Sequence, residues 1–153
     1  MCSYGTDEYM VRVVKTYGDS MLRAAYSVLR STEDAEDAVQ DAFLKLLQKK
    51  PQFKNSEHEK AWLLRVTINI SKNILKSSSR SSLPMTEEIP YSDEKSELLA
   101  VVMSLPERYR TVIHLYYYEG YSIKETAAIL KLPAATVGTR LARARNLLKG
   151  EIS

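Results

Sequence analysis

Apolar residues recur with helical spacing along most of the chain, and this periodicity constrains the fold more than any other feature. The clearest run lies between Ser31 or Thr32, which can cap a helix, and Pro51, which ends it. Its apolar positions follow i, i+3, i+4, i+7 spacing and are Ala35, Ala38, Val39, Ala42, Phe43, Leu46 and Leu47. No stretch alternates as a half-buried strand does. The sequence therefore predicts an all-α fold.

Caps and breakers mark the other helices of the first half of the chain. A first helix is expected over residues 7–17, and Gly18 separates it from a second helix over residues 21–29. Ser56, followed three residues later by Glu59, is a capping-box pattern. It opens the helix that closes this half.

A segment without periodic apolar residues divides the chain. Residues 77–93 are rich in serine, proline and charged residues, which is typical of a flexible linker. The segment exceeds the length of about 12–15 residues at which unstructured loops become uncommon in compact domains. The sequence therefore predicts two small helical domains, residues 1–76 and residues 94–153, joined by this linker.

The second domain carries the pattern of a helix-turn-helix. A helix over residues 106–118 is followed by a capping box, Ser122 with Glu125, which starts a short helix. Residues 131–133 break that helix, and a longer basic helix runs from residue 134 to about 149. A short helix, a three-residue turn and a basic helix are the arrangement of a helix-turn-helix.

The longer basic helix has two distinct sides. Its apolar stripe consists of Val137, Leu141, Ala144 and Leu148, and its opposite face carries Thr136, Thr139, Arg140 and Arg143. Arginine can donate two hydrogen bonds to guanine and threonine can contact a thymine methyl, so this face suits a major groove. Arg145 and Lys124 complete the predicted DNA contacts, with Arg145 reaching a phosphate or a neighbouring helix. The alternative is a solvated basic helix.

The helix opened by Ser56 carries a second cationic face. That face contains Trp62, Arg65, Asn69, Lys72, Asn73 and Lys76. Cations hold phosphates, asparagine reads base edges and aromatic rings stack on unpaired bases. The combination favours single-stranded or melted DNA. For Trp62, a place at the edge of the core is the alternative.

Acidic residues cluster on one side of the helix that follows Ser31. Asp34, Asp37 and Asp41 share that side with Gln40. The two histidines of the chain have no metal-ligand spacing to these acids, and no catalytic motif is present. We therefore expect no metal, no cofactor and no small-molecule substrate, and we interpret the cluster as a protein-binding face; a solvated surface is the alternative.

Charge and composition indicate a partner and a compartment. Residues 60–82 and 131–149 each contain five bases and no acid, whereas residues 33–41 contain five acids and no base. Separate basic blocks favour a polyanionic partner. A single cysteine, Cys2, cannot form an intrachain disulfide, and no apolar run approaches the roughly 20 residues of a membrane span. With no signal-peptide pattern at the N-terminus, these features predict a cytoplasmic protein without membrane insertion.

Three segments carry a family resemblance. Residues 34–43, DAEDAVQDAF, look like the segment by which group IV (extracytoplasmic function, ECF) sigma factors of the sigma-70 family bind core RNA polymerase. Residues 53–69, which include WLLRV and Asn69, resemble the −10 region of these factors, and residues 105–145 resemble their −35 region. The match covers nearly the whole chain, with the three segments in the family's order.

The resemblance implies a function, partners and site residues. It implies a factor that directs core polymerase to promoters and contacts the β′ clamp helices and the β flap. RNA synthesis would belong to the polymerase, and an anti-sigma factor would hold the factor inactive by covering both of its domains. Polymerase contacts would come from Asp34, Asp37, Gln40, Asp41 and Phe43. Capture of a flipped −10 base would involve Asn69 and the Lys54–His58 loop, with Lys54 and Asn55, and −35 reading would involve Thr136, Thr139, Arg140 and Arg143.

The chain departs from the family pattern at Gly138, where relatives often carry a cation, and after Asn73, where serine replaces arginine. Two other classes of function stay open at this point. One is a stand-alone regulator that binds two-fold-symmetric operators without polymerase. The other is a nucleic-acid enzyme, which the absence of a catalytic constellation in the sequence disfavours.

Overall fold

The computed structural model describes residues 7–78 and 100–152. The chain divides into two compact units, Met1–Ser81 and Ser82–Ser153. The helices are α1 (Asp7–Leu29), α2 (Thr32–Lys49), α3 (Ser56–Ser78), α4 (Glu107–Ile113), a π-helical segment (His114–Tyr118), α5 (Ile123–Leu130) and α6 (Ala134–Ile152). Residues 100–103 are also helical. The described ranges contain no strand, which confirms the predicted all-α class.

The predicted linker, residues 77–93, lies outside the described residues except at its start. Ser77 and Ser78 form the last turn of α3, so this helix continues two residues beyond the predicted domain boundary. Within 7–78 and 100–152, no helix is both long and apolar enough to cross a membrane.

The first unit is a bundle in which α1, α2 and α3 each pack against the other two. Its core contains the fully buried side chains of Val13, Met21, Ala24 and Val28 from α1, Ala38, Ala42 and Leu46 from α2, and Leu63 and Leu64 from α3. The apolar stripe predicted for the helix after Ser31 is therefore confirmed at its alanines and at Leu46.

The predicted break at Gly18 is wrong, because α1 runs through it without interruption. Val13, Tyr17 and Met21 are at most 5% exposed and form one continuous buried stripe across the glycine. Glycine in a helix interior costs about 1 kcal/mol relative to alanine, whereas burying one large apolar side chain contributes about 1.5–3 kcal/mol. The packing of α1 on α2 and α3 therefore outweighs the cost of a glycine inside the helix.

Both ends of α2 lie where the sequence predicts them. The Ser31 hydroxyl accepts a hydrogen bond from the backbone N–H of Asp34 at 3.2 Å, which satisfies a donor of the first turn. Lys50, just before Pro51, adopts a left-handed conformation with φ 46°, and its N–H donates to the Leu46 carbonyl at 3.0 Å. Only residues 30–31 separate α2 from α1.

The predicted capping box at the start of α3 is wrong. Glu59 is only 3% exposed, and its carboxylate accepts hydrogen bonds from the hydroxyls of Tyr9 (3.0 Å) and Tyr17 (2.9 Å) and from Arg12 Nη2 (3.0 Å). Asn55 caps the helix instead: its side-chain oxygen accepts from the His58 N–H at 2.8 Å. The Glu59 carboxylate thus makes tertiary hydrogen bonds to α1 and does not cap α3.

The second unit is built around α6, which packs against both α4 and α5. Leu105, Tyr109 and Ile113 pack against Ala144 of α6, and Val102 and Leu148 extend this cluster. Val137, Leu141 and Ala144 have no exposed surface, and Leu148 is half-buried. The stripe predicted on the longer basic helix is therefore the buried side of α6.

The helix-turn-helix has its predicted spacing. The Ser122 hydroxyl accepts from the Glu125 N–H at 3.0 Å while the Glu125 carboxylate accepts from the Ser122 N–H at 2.9 Å, a complete capping box. Lys131 ends α5 in a left-handed conformation with φ 57°. The Pro133 carbonyl then accepts from the Thr136 N–H at 3.0 Å in the first turn of α6.

The helix that begins with α4 changes to π geometry in its last five residues. The His114 carbonyl accepts from the Glu119 N–H at 2.9 Å, and Leu115 stays fully buried. In this segment Tyr117 is 54% and Tyr118 49% exposed, whereas Tyr116 is half-buried.

Candidate nucleic-acid and polymerase interfaces

The outward face of α6 holds the four residues predicted to read a major groove. Thr139 and Arg143 are exposed, and Thr136 and Arg140 are half-buried. Because the opposite side of α6 is anchored on α4 and α5, these four side chains lie on one surface of a helix that cannot rotate. The arrangement predicted from periodicity is present.

These four residues form one wall of an open groove. The groove has a volume of about 400 Å³ and is lined by Arg108, Tyr109, Ala135, Thr136, Thr139, Arg140 and Arg143. Its lining therefore includes three guanidinium groups and no carboxylate. Glu107 is the acid nearest to the groove in the sequence, and its carboxylate accepts from the Thr111 hydroxyl at 2.8 Å within α4. The positive charge of the groove is thus free to attract an anion.

The pKa of the Tyr109 hydroxyl reflects that positive charge. The Arg108 guanidinium carbon lies 4.7 Å from the centre of the Tyr109 ring. A hydrogen bond with Arg108 is the main reason that the pKa of the Tyr109 hydroxyl is lowered, and Arg143 lowers this pKa further. Both cations stabilise the phenolate relative to the phenol. The hydroxyl of Tyr109 therefore lies between cations that belong to α4 and α6.

Sequence reasoning missed Arg108 and Tyr109. They enter the groove only because α4 packs against α6, which periodicity cannot reveal. One local signal was available: Arg108 lies in the first turn of α4, where the helix dipole disfavours a cation. A cation in that position is a reason to look for an anionic partner.

Arg145 and Lys124 do not line the groove. The Arg145 Nε donates to the Tyr117 hydroxyl at 2.5 Å, and its guanidinium lies 5.6 Å from the centre of the Tyr117 ring and 5.9 Å from that of Tyr116. The bond to Tyr117 is the main reason that the pKa of Arg145 is raised. The contact with a neighbouring helical segment was one of the two roles predicted for Arg145. Lys124 is exposed on α5.

The cationic face predicted on α3 is present in the first unit. Asn69, Asn73 and Lys76 are exposed, and Trp62, Arg65 and Lys72 are half-buried. On the other side of α3, Leu63 and Ile70 are buried and Val66 and Ile74 are half-buried. Trp62 therefore combines the two expectations stated for it: part of its indole packs at the edge of the core and part is accessible.

Aromatic contacts connect Trp62 to the loop before α3. The Phe53 ring packs edge-on against the Trp62 ring at a centroid distance of 5.7 Å and against the His58 ring at 5.5 Å. Lys54 and Asn55, both exposed, lie between Phe53 and the first turn of α3. The loop and the cationic face of α3 thus form one surface.

The acidic face of α2 is directed away from the bundle. Asp37, Gln40 and Asp41 are exposed, and Asp34 and Phe43 are half-buried. Leu44 lies on the same helix with 54% of its surface exposed. Leu44 thus adds one exposed apolar side chain to this helix. In the described part of the chain, no group of three or more His, Cys, Asp or Glu side chains has a geometry that could hold a metal ion.

Comparison with known proteins agrees with this organisation. The family model for sigma-70 region 2 matches residues 13–81, and the model for sigma-70 region 4 matches residues 95–148. The ECF RNA polymerase sigma-E factor of Haemophilus influenzae is 30% identical over an alignment that covers 80% of this chain and 76% of that factor. The ECF sigma factor SigW of Bacillus subtilis is 25% identical, with 97% of this chain and 91% of SigW covered.

Solved structures show the same fold. CnrH, solved in complex with the cytosolic domain of CnrY, has a TM-score of 0.71 and 25% identity, covering 97% of this chain and 90% of CnrH. RpoE of Bartonella quintana, solved with the anti-sigma factor NepR, has a TM-score of 0.79 and 22% identity, covering 95% of this chain and 96% of RpoE. With both sigma regions matched in order and a 30% identical relative, the chain belongs to the ECF group of the sigma-70 family, the factors that bind core RNA polymerase and direct it to promoters.

Proposed function

We propose a division of labour between the two domains. The first domain, residues 1–76, binds core polymerase and opens and holds the −10 element, and the second, residues 94–153, anchors the −35 duplex. The segment that joins the two domains lets both bind one promoter, which raises the local concentration of each domain at its own site. The observation that carries the proposal is the groove on α6, which has three guanidinium groups and no carboxylate in its lining.

In the second domain, α6 enters the major groove of the −35 element. Arg140 and Arg143 donate to guanine or to phosphate, and Thr136 and Thr139 contact base edges or methyl groups. Arg108 adds a cation from α4, so that a DNA backbone lying along the groove is held from both walls. Arg145 and Lys124 lie outside the groove lining and, in this proposal, contact flanking phosphates.

In the first domain, the surface of α3 and of the preceding loop receives the separated −10 strand. Arg65, Lys72 and Lys76 hold phosphates, while the exposed amides of Asn69 and Asn73 have both donors and an acceptor for base edges. The half-buried indole of Trp62 provides a stacking surface. Lys54 and Asn55 border the position of a base displaced from the strand.

The acidic face of α2 binds the β′ clamp helices of the polymerase. Asp37 and Asp41 contribute charge, Gln40 contributes hydrogen bonds, and Phe43 and Leu44 contribute apolar area. Asp34 lies in the first turn of α2, where the helix dipole already favours its charge. The second domain contacts the β flap.

Family membership also supports the remaining assignments. An anti-sigma protein holds the factor inactive, as RpoE of B. quintana was solved with NepR. The factor itself catalyses no reaction, since RNA synthesis belongs to the polymerase. It works in the cytoplasm, where polymerase and promoter DNA are located.

A transcription assay tests the proposal. Core polymerase would be incubated with fragments of the organism's own genome, with and without the chain, and the transcripts sequenced. We expect new start sites that share −10 and −35 elements only when the chain is present. A stand-alone regulator would instead bind operator DNA without polymerase in a gel shift and add no start sites.

Two variants separate the surfaces. Arg143→Ala is expected to lower promoter affinity by about 5- to 150-fold, the equivalent of one good base contact of about 1–3 kcal/mol, with polymerase affinity unchanged. Asp41→Ala is expected to lower polymerase affinity and to leave affinity for a −35 duplex unchanged. Equal losses of both affinities in either variant would contradict the division of labour.

A further inference from the structure

The loop before α3 is closed by side chains of its own residues. The backbone N–H of Lys54 donates to His58 Nδ1 at 3.1 Å, and the backbone N–H of His58 donates to the Asn55 side-chain oxygen at 2.8 Å. The Asn55 carbonyl also accepts from the Glu59 N–H at 3.1 Å. His58 thus completes a small ring of hydrogen bonds that fixes the backbone of Lys54 and Asn55.

The closing bond determines the tautomer of His58. A backbone N–H can only donate, so the nitrogen that receives it must carry a lone pair and no proton. In the neutral ring the proton is therefore on Nε2, which becomes a hydrogen-bond donor. Over residues 7–78, Nε2 has no hydrogen-bond partner, and the His58 side chain is exposed.

The orientation of the ring is also fixed. The Phe53 ring packs edge-on against His58 at an interplanar angle of 89°, and Phe53 in turn contacts Trp62. The imidazole is thus bound to the loop through Nδ1 and held in a T-shaped contact with Phe53. The free Nε2–H is held beside the surface to which the −10 strand is assigned.

We propose that His58 positions the loop through Nδ1 and offers Nε2–H to a hydrogen-bond acceptor on an unpaired base. This inference rests on the proposed −10 role of the first domain. A base is the favoured source of the acceptor because the neighbouring groups are aromatic rings and an amide, which suit a base, whereas a phosphate is served by the lysines. His58 is thus a specificity residue of the loop as well as its closure.

Two substitutions distinguish the role of His58 Nδ1 from that of Nε2. In His58→Asn, the side-chain oxygen can occupy the place of Nδ1 and keep the bond from Lys54, but nothing replaces Nε2–H. In His58→Gln, the amide nitrogen can reach the place of Nε2, but the acceptor for Lys54 is lost. His58→Ala removes both functions, and Lys15→Ala, on the exposed surface of α1, is a control for a remote change.

The role of His58 Nδ1 in closing the loop is measured without DNA. NMR of the full chain would measure the imidazole nitrogen shifts of His58 and the amide exchange rate of Lys54. We expect the Nε2–H tautomer in the wild type, faster exchange in His58→Gln and His58→Ala, and unchanged exchange in His58→Asn. A wild-type ring protonated on Nδ1, or exchange that is the same in all variants, overturns the proposal.

The role of His58 Nε2–H as a hydrogen-bond donor is measured by binding of single-stranded DNA. The probes are a 12-nucleotide pool of random sequence and an abasic 12-mer, each bound to the full chain in complex with core polymerase. We expect His58→Asn to bind the random pool about 3- to 10-fold more weakly, the loss of one neutral hydrogen bond, and to bind the abasic strand like the wild type. Equal weakening on both probes overturns the assignment to a base and indicates a phosphate.

A further variant distinguishes a failure of the donor role of His58 from a failure of the proposed −10 role of α3. If Lys72→Ala and His58→Asn both leave binding of the random pool unchanged, the −10 role of α3 is wrong and the donor role of His58 is wrong with it. If Lys72→Ala weakens binding but His58→Asn does not, only the donor role of His58 is overturned.

Discussion

Replacing Glu59 tests how the first unit is held together. Its carboxylate, in the first turn of α3, is the acceptor for two tyrosine hydroxyls and one guanidinium from α1. Glu59→Ala removes the acceptor and leaves the hydroxyls of Tyr9 and Tyr17, whose side chains are only 6% and 5% exposed, without their charged partner. Arg12 differs from the tyrosines, because 45% of its side chain is exposed.

The magnitude follows from these exposures. A buried hydrogen bond to a charged acceptor contributes about 1.5–3 kcal/mol, whereas a solvent-screened ion pair contributes about 0–1 kcal/mol. Because Glu59→Ala removes two such hydrogen bonds, we expect it to lower the free energy of unfolding by about 3–6 kcal/mol. Tyr17→Phe should lower it by about 1.5–3 kcal/mol and Arg12→Ala by less than about 1 kcal/mol.

Trp62 makes the assay selective. It is the single tryptophan of the chain and lies in α3, so its fluorescence in urea follows unfolding of the first unit. Glu59→Gln provides the matched control, since it keeps the size of the side chain and one acceptor oxygen while removing the charge. The reasoning is refuted if Arg12→Ala costs more than Tyr17→Phe, because the exposed ion pair would then be the stronger contact.

Four further predictions concern single positions. Gly18→Ala should raise the free energy of unfolding by about 1 kcal/mol in the Trp62 assay, because an added Cβ would meet only the Val14 side chain at 3.8 Å; a loss of stability would contradict this. Burial and, as a smaller cause, Glu59 raise the pKa of the Tyr17 hydroxyl above its usual value of 10.0. The stability that the protonated hydroxyl contributes is therefore complete below pH 10 and is lost as pH rises further. Above pH 10, the urea midpoint of the wild type should fall more steeply than that of Tyr17→Phe. Ser122→Ala should destabilise the second unit by about 0.5–2 kcal/mol, measured by circular dichroism, and a null effect would mean that the capping box is replaced by water. At Gly138 an added Cβ would meet nothing within 4 Å. Gly138→Arg should therefore steepen the dependence of DNA affinity on salt by about 0.9 in log–log slope, whereas Gly138→Ala should not.

Features that depend on a few neighbouring residues could be predicted from the sequence. The caps at Ser31 and Ser122 and the buried stripe of α6 are of this kind, because each follows from local hydrogen bonding or from helical periodicity. Ser56 and Glu59 have the same spacing as Ser122 and Glu125, yet only the second pair forms a capping box. The difference is tertiary, because Tyr9 and Tyr17 lie 50 and 42 residues away from Glu59 in the sequence.

The candidate sites divide in the same way. Periodicity was sufficient to place Thr139 and Arg143 on one face of α6, since the spacing of residues fixes the side of a helix on which they lie. It could not add Arg108 and Tyr109 to that face, because their position depends on how α4 packs against α6. The closure of the 53–58 loop by His58 was equally hidden, since it requires the backbone of Lys54 to turn toward the ring.

The π-helical segment between α4 and the helix-turn-helix makes the chain tolerant of a one-residue deletion at that place. A π turn holds one residue more than an α turn, and the Glu119 N–H to His114 carbonyl bond spans that additional residue. Deleting one residue from His114–Tyr118 would let the segment return to ordinary α winding, and the tighter turn would compensate for the missing residue. The helix-turn-helix would then keep its rotational position relative to α4. A deletion inside α4, where no additional residue is held, would instead rotate everything beyond it by about 100°.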